Sequence, residues 1–130
     1  MEAVLTPVKV MLVDDDPVIR LLLKDYLTAF NYEVEVLESG IQCLDRLTRT
    51  RPDVLLLDFQ MPVMNGLEVL RNIRKMSSLA DLPVIILSAN KDSERLIKES
   101  GLDAELFIIK PFEMTAVREA IERFRPQDKA

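Results

Sequence analysis

Four short stretches hold the side chains that could do chemistry. Asp14-Asp15-Asp16 follows the apolar run Val8–Val13, Asp58 follows Val54–Leu57, Ser88 follows Val84–Leu87, and Lys110-Pro111 follows Leu106–Ile109. Carboxylates brought together from two segments repel, raise one another's pKa and cost stability unless they share a cation. A hard divalent ion answers that need, and magnesium suits one or two carboxylates, a carbonyl and waters. A softer metal would find no histidine or cysteine ligands here. Lys110 adds a positive charge and Ser88 a hydroxyl, which are what the further oxygens of a phosphoryl group require. Together these groups describe a pocket in which a carboxylate attacks phosphorus.

Other chemistries are narrowed by a zero. The 130 residues include no histidine and one cysteine, Cys43. That excludes a triad with a histidine base, histidine or cysteine zinc clusters, a self-phosphorylating histidine and an internal disulfide. Cys43 reads as a reduced helix residue without a role. Asp and Glu total 22 against 17 Lys and Arg, a net charge of −5, which disfavours direct nucleic-acid binding. No run approaches the roughly 18 consecutive apolar residues of a membrane span, and MEAVLTPVKV lacks the features of a signal peptide, so no membrane insertion is expected.

The elements that must position these groups follow from the apolar pattern. Strands are predicted at Val8–Val13, Val34–Leu37, Val54–Leu57, Val84–Leu87 and Leu106–Ile109. Three are almost purely aliphatic, as in strands covered on both faces, whereas Val34–Leu37 alternates with glutamates like an edge strand. Helices are predicted between them. The first opens at Pro17, with Asp16 as its cap, and carries Val18, Leu21, Leu22, Leu23, Tyr26, Leu27 and Phe30. The second, over 40–50, would face inward through Ile41, Leu44 and Leu47, and the third follows Gly66 with Leu67, Leu70 and Ile73. The fourth, over 92–100, offers only Leu96 and Ile97, and the fifth carries Met114, Val117, Ile121 and Phe124. Five βα units with right-handed crossovers give an α/β, doubly wound (βα)5 sandwich around a mostly parallel sheet. Such sheets bind ligands at the carboxyl ends of their strands, where Asp14, Asp15, Asp58, Ser88 and Lys110 stand. One domain is expected over 1–130, with its core at about 8–125 and a loose polar tail after Phe124.

Leu12-Val13-Asp14-Asp15, Leu57-Asp58-Phe59-Gln60-Met61-Pro62-Val63-Met64-Asn65-Gly66, Ser88-Ala89 and Phe107-Ile108-Ile109-Lys110-Pro111-Phe112 resemble, in order, the motifs of response-regulator receiver domains of two-component signalling. The resemblance implies a flavodoxin-like fold with strand order 2-1-3-4-5. It implies Asp58 as phosphoryl acceptor and a Mg²⁺ site, open to Mn²⁺ as a substitute, formed by Asp15, Asp14, Asp58 and the Gln60 backbone carbonyl. Lys110 would pair with the acceptor and then with the phosphate, while Ser88 and the Ala89 backbone N–H would bind phosphoryl oxygens. Ser88 and Phe107 would form the switch that remodels the face of the fourth helix, fifth strand and fifth helix. Gln60 and Asn90 would tune the lifetime of the phosphorylated state. Lys110-Pro111 would be cis. Ser88 stands where threonine is commoner in the family, and Phe107 where tyrosine often stands. The implied partners are a sensor histidine kinase or histidine phosphotransfer protein and a downstream effector, in a bacterial-type cytoplasm, with a homodimer left open. The implied role is self-phosphorylation and self-dephosphorylation rather than turnover of a released substrate.

Two other readings stay open at this level. Asp14-x-Asp16-x-Val18 fits the first motif of haloacid-dehalogenase-type phosphohydrolases, with Asp14 as nucleophile, although no cap insertion is evident. A pseudo-receiver acting only as a binding module is the other. The start at Met1 agrees with a receiver at the N-terminal end of its chain, and a longer chain is equally consistent.

Overall fold

The computed structural model describes residues 6–129. Five strands alternate with five α-helices: β1 (Lys9–Val13), α1 (Pro17–Ala29), β2 (Glu33–Leu37), α2 (Gly40–Leu47), β3 (Val54–Asp58), α3 (Gly66–Lys75), β4 (Val84–Ser88), α4 (Ser93–Glu99), β5 (Leu106–Ile109) and α5 (Met114–Glu122). A single 3-10 turn at Ser77–Leu79, absent from the predicted elements, links α3 to β4. All strand pairs are parallel and the order is β2-β1-β3-β4-β5, as expected, with β2 at one edge.

Successive strand residues point to opposite faces, which divides the aliphatic runs between two cores. Met11, Val13, Leu55, Leu57, Val84 and Ile86 pack with Cys43 and Leu47 of α2, Val69, Leu70 and Ile73 of α3, and Ile97 of α4. Val10, Leu12, Leu56, Ile85 and Leu87 pack on the other face with Leu23 and Leu27 of α1 and Val117 and Ile121 of α5. β1, β3 and β4 are thus covered on both sides, which is why their sequences do not alternate in polarity.

Local signals set the helix starts. Asp16 caps α1, its carboxylate accepting from Val18 N–H at 2.9 Å, with Pro17 at the first position. Ser39 caps α2, and Asn65 with Glu68 forms a capping box on α3.

Three expectations are corrected. Ile41 does not face inward but is 57% exposed, because α2 begins at Gly40 and turns Gly40, Cys43 and Leu47 to the core. Val18, Leu21 and Leu22 of α1 are also exposed, since at about 100° per residue three consecutive leucines cannot share one face. The tail is not wholly loose: Lys129 pairs with Asp53 at 3.2 Å, both side chains less than a fifth exposed, and Thr6 bridges to Lys129 in parallel.

Candidate functional site

The carboxyl ends of β1, β3 and β5 meet around three acids and one lysine. Asp14 directly follows β1, is fully buried, and has both carboxylate oxygens engaged. Its Oδ1 accepts from Asp16 N–H at 2.9 Å, and its Oδ2 lies 2.8 Å from Lys110 Nζ. Asp58 is the last residue of β3, 3% exposed, with Oδ1 at 3.3 Å from the same Nζ. Asp15 is exposed beside them. Each of the three aspartates offers an oxygen within 4.8 Å of the others.

Burial and the neighbouring Asp14 charge push the Asp58 carboxyl up to about 7, although Lys110 opposes them. Burial alone would pull Lys110 down, but its hydrogen bond to Asp14 and the charges of Asp58 and Asp14 hold its ammonium above the ordinary lysine value. Lys110 therefore stays charged, while Asp58 sits poised between neutral and ionised.

Backbone geometry brings these groups to one place. Lys110 N–H donates to Ser88 carbonyl at 2.8 Å, and the Lys110-Pro111 bond is cis, as expected. Gly66 N–H donates to Phe59 carbonyl at 2.8 Å, and a Cβ on Gly66 would stand 2.6 Å from the Asp58 carbonyl oxygen. Only glycine lets α3 start this close to the end of β3. Val63, between Pro62 and Met64, has φ 70°, and Met64 N–H donates to Pro62 carbonyl at 2.8 Å across it. That is a classic γ-turn, strained for a β-branched residue.

Ser88 lies at the end of β4, 1% exposed, but its hydroxyl is turned onto its own loop. It accepts from Asn90 N–H at 2.9 Å and donates to Asn90 carbonyl at 3.3 Å. Ala89 is exposed beside it, Asn90 is half-buried, and Gln60 is exposed beyond β3. Phe107 of β5 stands in register with Ile86, half-buried against the α2–α4 core. The structure thus brings Asp14, Asp15, Asp58 and Lys110 into one cluster and leaves Ser88 in contact with Asn90. One neighbour escaped the sequence reading: Arg20 of α1 donates from Nη1 to the Asp14 carbonyl at 2.8 Å. It stands among the leucines of an amphipathic helix, where an arginine signals only a solvated face.

The donor set suits a hard divalent cation. It consists of carboxylate oxygens, with no histidine in the chain, and the one thiol, Cys43, is buried in the α2 core where burial pushes it up to about 12. A buried carboxylate held beside a fixed lysine and two further acids that can share a cation is what a group that receives a phosphoryl needs.

A doubly wound parallel sheet carrying this edge defines the class: a phosphoryl-accepting switch of the two-component type. The response regulator receiver domain model matches residues 10–122, and the chain belongs to that family. Members of the family are in general switches rather than enzymes. Among its relatives is response regulator MprA of Mycobacterium bovis, 37% identical over 130 residues, covering 95% of this chain and 54% of MprA. The chain spans about half the length of the curated relatives it matches. The chemotaxis response regulator CheY4 of Vibrio cholerae superposes with TM-score 0.84 at 29% identity, over 92% of this chain and 100% of that one. Response regulator protein TrrA of Thermotoga maritima, solved in complex with Mg²⁺-BeF, gives TM-score 0.80 at 30% identity, over 91% and 99%. No helix among the described residues is long and apolar enough to cross a membrane.

Proposed function

We propose that Asp58 is the residue of this receiver domain that takes the phosphoryl group, from a phosphohistidine on a sensor histidine kinase or histidine phosphotransfer protein. The observation that carries this is the placement of Asp58: buried at the end of β3, 3.3 Å from Lys110 Nζ, with Asp14 and Asp15 oxygens within 4.8 Å. An Asp58 carboxylate oxygen forms the new P–O bond as the P–N bond to the donor imidazole breaks, and the imidazole leaves with the electron pair and is protonated. Lys110 reduces the repulsion between anionic nucleophile and anionic phosphoryl group, and then pairs with the phosphate. Asp15, Asp14, Asp58 and the Gln60 carbonyl would hold Mg²⁺, or Mn²⁺ in its place. The ion supplies charge neutralisation and in-line alignment of the phosphoryl group. The Ala89 N–H and Ser88 hydroxyl bind its other oxygens. Ser88 must leave Asn90 to do so, and Phe107 turns into the space it vacates, changing the α4-β5-α5 face for a downstream effector. Gln60 and Asn90 flank the approach of hydrolytic water and set how long the acyl phosphate lasts.

The single domain extends over 1–130 with its core at about 8–125 and works in a bacterial-type cytoplasm, as a monomer or a homodimer, changing only its own phosphorylation state. Incubation with a small phosphoryl donor and Mg²⁺ tests the assignment. The expected result is addition of one phosphoryl group, lost in Asp58→Asn. Modification that survives Asp58→Asn and disappears in Asp14→Asn would instead identify a dehalogenase-type phosphohydrolase. No adduct and no Mg²⁺ uptake would leave a binding module only.

A further inference from the structure

Arg20 reaches back from the first turns of α1 over the acidic loop. Its Nη1 donates to the Asp14 carbonyl at 2.8 Å, and its Nη2 lies 3.7 Å from Glu38 Oε2 on the loop after β2. The Arg20 side chain is only 19% exposed, whereas Glu38 is 63% exposed. A long contact to so exposed a carboxylate orders little. The short bond to the carbonyl is what fixes the guanidinium.

That carbonyl belongs to the peptide joining Asp14 to Asp15. Asp14 is already pinned: its N–H donates to Leu37 carbonyl at 3.1 Å, and its carboxylate is held by Asp16 N–H and Lys110. Asp15 is exposed and little held by packing, so the preceding peptide is what sets the direction in which its side chain leaves the backbone. The guanidinium holds that peptide through its carbonyl oxygen.

We propose that Arg20 is a positioning residue for the divalent-cation site, fixing the Asp14–Asp15 peptide so that the Asp15 carboxylate is aimed at Asp58. Because Arg20 bonds a carbonyl and not a carboxylate, it leaves the acid oxygens available to the cation. Its permanent charge also offsets part of the repulsion among the three aspartates. Outer groups that orient ligands in this way carry a large share of metal affinity. The inference rests on the metal-dependent reading given above.

Calorimetric titration with Mg²⁺ and the backbone amide resonance of Asp15 test it. Arg20→Met, which keeps the aliphatic stem but removes donor and charge, should weaken Mg²⁺ binding roughly tenfold and shift the Asp15 amide. Arg20→Lys should recover part of both. Glu38→Gln should leave affinity within about twofold of wild type, since its contact is weak. Wild-type affinity and an unmoved Asp15 amide in Arg20→Met would overturn the proposal. So would an equal loss in Glu38→Gln, which would place the effect in the ion pair. If Arg20→Met does not fold, Arg20→Gln, with a shorter neutral donor, takes its place under the same two criteria. A wild-type protein that takes up no Mg²⁺ fails the metal-dependent reading itself, a result visible before any variant is compared.

Discussion

Lys110 Nζ bonds Asp14 at 2.8 Å, closer than the 3.3 Å that separates it from Asp58. The lysine is therefore the counter-ion of the whole acidic pair, held against Asp14 and within reach of Asp58. Removing it strands two buried carboxylates. Lys110→Ala should lower the stability of the metal-free protein by about 3 kcal/mol, and saturating Mg²⁺ should return much of that loss by supplying another cation. Urea unfolding with chelator and with Mg²⁺ measures both. An equal loss under the two conditions would mean that Lys110 acts through packing and not through charge.

The pH dependence follows from Asp58. Its carboxyl is held up to about 7 by burial and by Asp14, so the folded protein keeps this proton where the unfolded chain has released it. Stability from this group is complete below the ordinary aspartate value near 4 and is lost as pH rises to about 7. Asp58→Asn carries no such charge. In metal-free buffer the variant should gain on wild type as pH climbs through that window and hold a constant lead above it. Chemical denaturation across the range checks this, and a difference independent of pH would contradict the assignment.

The positions of the strands, and of Asp14, Asp58, Ser88 and Lys110 at their carboxyl ends, were legible in the sequence because each residue abuts an aliphatic run that reads as a covered strand, while the lateral order of the strands was implied only by the family resemblance. What was hidden is what depends on rotation about an element. Leu21, Leu22 and Leu23 look equivalent in sequence, yet only Leu23 is buried. Ile41 and Cys43 exchange places for the same reason: two residues apart on one helix lie about 200° apart around its axis, so Ile41 faces out where Cys43 faces in. Arg20 was illegible as a site neighbour because its target is a backbone carbonyl, which no side-chain motif records. The tie of Lys129 to Asp53 joins residues far apart in sequence through one ion pair, and composition carries no trace of it.

Ser88 predicts a separation of chemistry from switching. Its hydroxyl is bonded only to Asn90 among the described residues, and neither contact reaches the acidic cluster. Ser88→Ala should cost about 1 kcal/mol for the lost turn bond while leaving Asp58 and Lys110 in place. Mg²⁺-dependent beryllofluoride binding should persist, but the accompanying movements of the Leu96, Ile97 and Phe107 resonances should shrink. A full response in the variant would remove Ser88 from the switch.

Val63 offers a test of stored strain in the loop that follows Asp58. It is 89% exposed, so no packing compensates for its position, and its φ of 70° is a region that β-branched residues rarely enter. The turn is closed by the 2.8 Å bond from Met64 N–H to Pro62 carbonyl, which a different side chain at 63 would leave intact. Asparagine enters positive φ more readily than valine, and with less entropy in the unfolded chain than glycine brings. Val63→Asn should therefore raise stability by about 1 kcal/mol and leave the Mg²⁺ affinity unchanged, because the substituted side chain points into solvent. Val63→Gly should gain less than Val63→Asn, since the strain it relieves is partly cancelled by the freedom it gives the unfolded chain. Thermal unfolding of the three proteins orders them. If both variants prove less stable than wild type, the turn is held by something other than the backbone bond, and the strain assigned to Val63 is absent.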